Sequence, residues 1–286
     1  MNNNGVLITK ASGEREPFSE KKLRRSLGRS LAPQATIDEV VERILSELRD
    51  GMSTSDIYRH AFSMLKKRYP SSAGRYHLKK AIMDLGPAGY IFERFVGELL
   101  KSTGYKVEVS RTVRGRCVSH EVDVVAEKSD KHVMVECKFH NSQGIRSDVK
   151  VALYVQARFE DIEGQWKLEP GHSQKFHEAW LVTNTKLTSD AIRYASCVGL
   201  KVVGWSYPPE GSLQNMIEIS GLHPLTCLTS LSSIQKRRLL NEGTVLCRHL
   251  LENKNLLQSA GVSEANIPRV IREVKDLCGP RDLNMR

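Results

Sequence analysis

The sequence predicts a multidomain α/β protein, and three observations carry that prediction. Residues 89–208 alternate between helical and strand patterning in the order helix, three strands, helix, strand, helix, strand. The stretches on either side show apolar residues at helical spacing. Two proline- and glycine-bearing breaks, DLGPAG at Asp84–Gly89 and YPPEG at Tyr207–Gly211, divide the 286 residues. At roughly 100–200 residues per domain, that length holds two or three domains. The expected segments are 1–88, 89–208 and 222–286.

Each element follows from its pattern. Val6 to Thr9 reads as a short strand with a turn at Ser12-Gly13. From Ser19, Leu23, Leu27 and Leu31 recur every four residues, so a helix starts there with Ser19 as its N-cap and Glu20 in its first turn. A second helix, about Thr36 to Leu48, puts Ile37, Val40, Val41, Ile44, Leu45 and Leu48 on one stripe. Thr54 or Ser55 is expected to cap a third, and a fourth runs through Tyr76 to Met83. In the centre, a helix from Tyr90 to Thr103 ends at Gly104. Strands are expected near Lys106–Thr112, Ser119–Glu127 and Val133–Lys138. A helix near Ser147–Glu163, a strand at Glu178–Thr183, a helix at Ser189–Val198 and a strand at Lys201–Trp205 complete it. From Leu222 onward the pattern is helical.

Composition narrows the class. Hydrophobic residues make up 40% and charged residues 27%, as in ordinary globular proteins. No apolar run approaches the roughly 18 residues of a membrane span, and no signal peptide is read at the N-terminus, so the expected setting is the cytoplasm, away from membranes. The net charge of +10 is uneven: +6 in residues 1–88, zero in 89–221 and +4 in 222–286. Basic flanks suit a polyanion such as nucleic acid or nucleotide, and they also serve solubility. The six cysteines form no CxxC pair, which argues against a zinc site or disulfide framework and for buried free thiols.

The chemistry concentrates in HEVDVVAEKSDKHVMVECKFH, His120 to His140. Residues two apart on a strand share a face, so Met134, Glu136 and Lys138 point one way and Val133, Val135 and Cys137 the other, into a core. If the two strands of this stretch pair as a hairpin, Asp123 and Glu136 meet across it. Two carboxylates held together raise each other's pKa unless a cation sits between them, and oxygen ligands with retained waters suit Mg²⁺. A lysine beside such an ion stabilises charge developing on a phosphate. A surface Glu–Lys pair on a half-exposed strand is the alternative.

GYIFERFVGELLKSTGYKVEV, then EVDVVAE, then VMVECK, with the later AWLVTNTKLTSDAIRYASCVGLKVVGW, resembles the Mrr-like branch of the PD-(D/E)xK restriction-endonuclease fold over roughly 89–206. The resemblance implies an α/β/α core with a mixed sheet and DNA cleavage with Mg²⁺ or Mn²⁺. It implies Asp123 and Glu136 as metal carboxylates, Lys138 as the catalytic lysine, and Glu93 as the supporting helix glutamate. Gln156 is a further candidate, or an exposed helix residue. His120, His140 and Asn141 flank the site. Arg111, Arg114 and Arg116, in the loop before Asp123, either grip a DNA backbone or are solvated.

VLITKASGEREPFSEKKLRRSL and STSDIYRHAF resemble the ATP-cone, a mostly helical regulatory nucleotide-binding domain, over roughly 5–85. The resemblance implies ATP or dATP contacts at Val6, Lys10, Glu16, Lys22 and Thr54, with the nucleotide as regulator. The family's common K-R-D-G reads Lys10-Ala11-Ser12-Gly13 here. LTSLSSIQKRRLLNEGTVLCRHLLEN has the form of a helix-hairpin-helix, with Ser232-Ser233 in place of the hairpin glycines and Lys236, Arg237 and Arg238 suited to phosphates. A helical cap or dimerisation module fits the same pattern. The expected whole is a nucleotide-regulated, Mg²⁺-dependent DNA endonuclease able to form homo-oligomers. The alternative is a catalytically silent nucleotide-responsive DNA-binding or assembly protein.

Overall fold

The computed structural model describes residues 5–171 and 176–279. The chain forms two compact units: residues up to 84 together with those from 223 on, and residues 85–222.

The first unit opens with a two-stranded ribbon, β1 (Leu7–Thr9) and β2 (Arg15–Pro17), paired antiparallel. Helix α1 (Glu20–Gly28) follows, its first turn closed by the Ser19 hydroxyl accepting from Lys22 N–H. Then come α2 (Gln34–Glu47) and α3 (Thr54–Arg68). The cap of α3 is Ser53, not Thr54 or Ser55: its hydroxyl accepts from Asp56 N–H at 3.0 Å. Where one further helix was expected there are two short ones, α4 (Pro70–Tyr76) and α5 (Leu78–Met83). Pro70 begins α4 where its missing N–H has no cost. Leu23, Leu27, Ile37, Val40, Val41, Ile44, Ile57, Ala61 and Leu65 fill the core as their helical spacing predicts, whereas Leu31, expected on the same stripe, lies past the end of α1 and is exposed.

The second unit begins with α6 (Gly89–Ser102), followed by strands β3 (Lys106–Arg114), β4 (Ser119–Lys128) and β5 (Lys131–Lys138). Short β6 (Arg146–Ser147) leads into α7 (Val149–Trp166), whose N-cap Asp148 accepts from Lys150 and Val151 N–H. Next are β7 (Phe176–Thr183), β8 (Lys186–Leu187), α8 (Ser189–Val198), β9 (Lys201–Val203) and α9 (Leu213–Ser220). The sheet order is β3-β4-β5-β7-β9: antiparallel through β5, parallel beyond it. Val125, Met134, Ala179, Leu181 and Val202 share one face and pack with Val155, Phe159 and Ile162 of α7 and Ala191 and Ala195 of α8. Helix α6 lies against the other face, where a Cβ on Gly97 would stand 3.1 Å from the Val109 side chain. β5 is therefore buried on both faces, and Met134, expected opposite the core, is fully buried.

The C-terminal segment holds α10 (Ser233–Asn241), α11 (His249–Glu252), α12 (Asn255–Ser259) and α13 (Ile267–Cys278). Ser232 and Gln235 form a capping box at the start of α10, so Ser232-Ser233 open a helix rather than replace hairpin glycines. The turn comes later, at Gly243, whose φ of 89° suits glycine. Buried Glu273 of α13 accepts from Thr229 N–H (2.6 Å), Thr229 Oγ1 (2.7 Å) and Ser230 N–H (2.9 Å). Thr226 Oγ1 donates to Ala81 O (2.6 Å), and Arg75 donates to Leu277 O (3.1 Å). At Gly74 a Cβ would meet Cys227 O at 3.0 Å. All six cysteines are free; Cys227 and Cys247 are buried as expected, but Cys117 and Cys197 are exposed. Among the described residues no helix is long and apolar enough to cross a membrane.

Candidate active site

β4 and β5 pair as a hairpin whose register ends at Val124↔Val135. The next position on each strand is Asp123 and Glu136. There the ladder gives way to a side chain: the Asp123 carboxylate accepts from Cys137 N–H at 2.7 Å. Lys138 ends β5, exposed. Glu93, one turn into α6, accepts from Ser110 Oγ at 3.3 Å. Ser110, with a φ of 54°, falls opposite Asp123, and this one position drops out of a β3–β4 ladder whose register is otherwise the same on both sides, Val109↔Val124 and Arg111↔Val122. The four candidates Asp123, Glu136, Lys138 and Glu93 thus gather at one end of the strand pair.

The three acids are strained in charge. Burial pushes Glu136 up to about 7, and the Asp123 carboxylate adds to it; Arg158 and Lys138 pull the other way. Burial likewise pushes Glu93 up to about 7, reinforced by Asp123. Asp123 is raised by burial against the opposing hydrogen bond from Cys137. One organising cation went unread in the sequence. Arg158, on α7, reaches between the Glu136 carboxylate and the Glu121 carbonyl, donating to both with its side chain about 10% exposed. Gln156, the residue picked from this helix, instead donates to Glu160 at 3.0 Å. An arginine among the apolar positions of an amphipathic helix was the available signal.

Asp161 was also missed. It accepts from Cys117 N–H (2.7 Å), Val118 N–H (3.2 Å) and the His120 ring (2.8 Å), and its own carbonyl accepts from Arg116 N–H (2.9 Å). These bonds hold its carboxyl well below the usual range, His120 contributing most. Asp161 therefore fixes the β3–β4 turn that carries exposed Arg114 and Arg116. Arg111 pairs with Glu108 at 2.5 Å, and Arg111 and Arg114 border a cavity of about 300 Å³ that also touches His132 and Trp166. His140 and Asn141 are tied into the loop after β5: His140 N–H donates to Asn184 and its ring meets Ser147 Oγ at 3.0 Å, while Asn141 donates to Pro87 O.

Among the described residues, no three His, Cys, Asp or Glu side chains converge tightly enough to enclose a metal on their own. Asp123 and Glu136 supply two carboxylates at a desolvated strand end. That donor set fits a hard, partly hydrated cation such as Mg²⁺, which is commonly held by one or two carboxylates with waters completing its shell.

In the first unit, Glu16 lies between two lysines, 2.8 Å from Lys10 Nζ and 3.2 Å from Lys22 Nζ. Lys10 holds the Glu16 carboxyl below its ordinary value. Thr54 is the first residue of α3, and Ser53 before it bridges to Thr9 at the end of β1, one residue from Lys10. Val6 O accepts from Phe18 N–H at 2.9 Å. In the C-terminal segment, Lys236 is turned inward, donating to Thr226 O at 2.9 Å, and burial lowers its pKa. Arg237 is exposed, and Arg238 donates to Ala260 O at 3.3 Å.

A curated protein from Archaeoglobus fulgidus, described as uncharacterized, is 35% identical over 185 residues, spanning 64% of this chain and all of that one. The solved structure titled as the protein of unknown function AF1548 is likewise 35% identical, with a TM-score of 0.55, covering 67% of this chain and 99% of that chain. The chain belongs to the AF1548-like family. Residues 223–278 match the AF1548-like C-terminal family, residues 88–204 the Mrr-type restriction endonuclease family, and residues 6–79 the ATP cone domain. The MspJI restriction endonuclease solved with a 27-mer oligonucleotide is 12% identical, with a TM-score of 0.34, covering 84% of this chain and 48% of that chain, too distant to bear on the site. This AF1548-like chain thus joins an ATP-cone segment, a restriction-endonuclease-like domain and a helical C-terminus.

Proposed function

We propose that the chain is a Mg²⁺- or Mn²⁺-dependent endodeoxyribonuclease that hydrolyses phosphodiester bonds under the control of a nucleotide bound in its N-terminal cone. One observation carries the reading: Asp123, Glu136 and Glu93 are gathered, desolvated and pushed toward protonation beside Lys138. Three acids raised in this way cost stability, and the cost is relieved by a cation.

Asp123 and Glu136 would hold the ion, which when bound polarises a phosphoryl oxygen and acidifies a water. Cys137 N–H fixes the Asp123 carboxylate, and Arg158 fixes that of Glu136. The Lys138 ammonium stabilises charge developing on the phosphate. Glu93, with a pKa near the working pH, is suited to take a proton from the attacking water. Arg111, Arg114 and Arg116 grip the DNA backbone, and Arg237 and Arg238 offer further phosphate contacts. Lys236 does so only if released from Thr226.

The test is cleavage of plasmid and single-stranded DNA with Mg²⁺ or Mn²⁺, beside Lys138→Ala. Metal-dependent cutting that disappears in the variant is expected. If no DNA is cut, with or without nucleotide, the catalytic reading falls in favour of a silent nucleotide-responsive DNA-binding or assembly protein.

For the cone, ATP or dATP phosphates draw Lys10 and Lys22 from Glu16 and lie against the N-terminus of α3 at Thr54, with the base by Val6. Calorimetry should show binding that Lys10→Ala weakens about tenfold or more. Size-exclusion with and without each nucleotide reads whether it drives homo-oligomerisation.

A further inference from the structure

Helix α7 carries an unexplained side chain beside the acid cluster. Tyr154 is 60% exposed, although it sits on a helix that buries Val155, Phe159, Ile162 and Trp166. Exposure alone is ordinary for a tyrosine; what sets this one apart is how it is held. The tyrosine is not loose. The Arg158 guanidinium carbon lies 5.2 Å from its ring centroid, and Arg158 is itself bonded to Glu136 and to Glu121 O. The ring is therefore held, through one arginine, in fixed relation to the carboxylates.

Residues four apart on a helix stand one above the other, about 5–6 Å between Cβ atoms. Lys150, Tyr154 and Arg158 form such a row. It runs from an exposed cation at the start of α7, through the exposed ring, to the arginine that grips Glu136. Side chains in such a row point out from one side of the helix and can meet consecutive parts of one extended strand. A cation, an exposed aromatic ring and an arginine bonded to the acid cluster, in that order along one helix, make a track for one strand of nucleic acid. Aromatic side chains accept any base on their faces, and cations hold the intervening phosphates.

We infer that Tyr154 is a stacking platform for an unpaired nucleobase next to the phosphate being cleaved, with Lys150 on the neighbouring phosphate. The inference rests on the nuclease reading above and deepens it. A base in a continuous duplex cannot stack on the side chain, so the preferred substrate is single-stranded, gapped or locally unpaired DNA. The bland alternative is a tyrosine that merely shields Arg158.

The test uses the full-length protein in EDTA, so that nothing is cut, with a single-stranded oligonucleotide carrying one 2-aminopurine. Stacking on a tyrosine quenches that fluorophore. Wild type and Tyr154→Phe are expected to quench it and bind alike. Tyr154→Leu is expected to lose the quench and to bind roughly tenfold more weakly or worse, the scale of a lost base–aromatic stack. With Mg²⁺, Tyr154→Leu raises KM for single-stranded DNA more than it lowers kcat. Because Tyr154 lies outside the core, unchanged tryptophan emission verifies the fold of the variant. If Tyr154→Leu matches wild type in quench and affinity while wild type cuts DNA, the stacking site is refuted and the nuclease stands. If Tyr154→Leu lowers kcat with the quench intact, the tyrosine acts only through Arg158, and the stacking site is again refuted. If wild type neither binds nor cuts any DNA, the nuclease reading fails and takes this inference with it.

Discussion

Replacing Glu136 with glutamine should make the protein more stable at alkaline pH and, on the nuclease reading proposed above, abolish cleavage. Glu136 is lifted from an ordinary value of 4.5 to about 7, chiefly by burial and then by Asp123, with the attraction of Arg158 already counted against it. Below about pH 4.5 the folded and unfolded chains both keep the proton, and the substitution changes little. Between 4.5 and 7 the unfolded chain releases the proton while the folded one retains it. Wild type therefore loses stability through that window, and a neutral glutamine does not. At about 1.4 kcal/mol for each tenfold, the displacement amounts to about 3 kcal/mol at pH 8, an upper bound because local relaxation absorbs part of it. The assay is built into the sequence. All three tryptophans, Trp166, Trp180 and Trp205, are buried in the second unit, so urea unfolding followed by their emission reports that unit alone. Titrations in EDTA at pH 5 and pH 8 should show Glu136→Gln gaining over wild type only at the higher pH. Equal destabilisation at both would mean that the ionised pair with Arg158 is favourable and that the acid cluster is not strained.

Three further outcomes follow from the same geometry. Arg158→Met strands a desolvated carboxylate and should cost about 3–5 kcal/mol in the same tryptophan-monitored titration, the scale of breaking a buried ion pair, with much of it recovered in the Glu136→Gln, Arg158→Met double variant. Mg²⁺ at ten times its dissociation constant should stabilise wild type at pH 8 by about 1.4 kcal/mol and leave Glu136→Gln nearly unmoved. Asp161→Asn weakens the anchor of the β3–β4 turn, so trypsin should cut after Arg114 or Arg116 faster than in wild type, which mass spectrometry of the fragments would read.

The central domain was legible because its signals are local. EVDVV and VMVECK alternate or run apolar between turn residues, and the structure places these strands within two residues of the expected limits. Ser19 also capped its helix as its position implied. β2 went unread because Arg15-Glu16-Pro17 is short, charged and proline-terminated, and it is a strand only through its pairing with β1. Ser53, Thr54 and Ser55 are three adjacent capping residues, and sequence offers no way to choose among them. Arg158 and Asp161 escaped for a different reason. Their partners, Glu136 and His120, lie 22 and 41 positions away, so even the placing of Arg158 among the apolar positions of its helix does not say what it binds. Lys236 shows the converse: one of three consecutive basic residues, it is turned inward by a carbonyl that no pattern predicts.

The first unit is assembled from the two ends of the chain, with Thr226 and Leu277 bonded back to Ala81 and Arg75. On the ribosome this imposes a sequence of events. The second unit has all its residues once 222 is made, whereas the cone segment waits more than a hundred residues for the partner that closes its α4–α5 side. Every product shortened ahead of 223 lacks that partner. A chain broken there keeps residues 1–222 joined, yet it leaves the first unit without the carbonyl and hydroxyl partners of Arg75 and Ala81 while the second keeps every residue it needs, so the loss of the tail falls on one unit and spares the other.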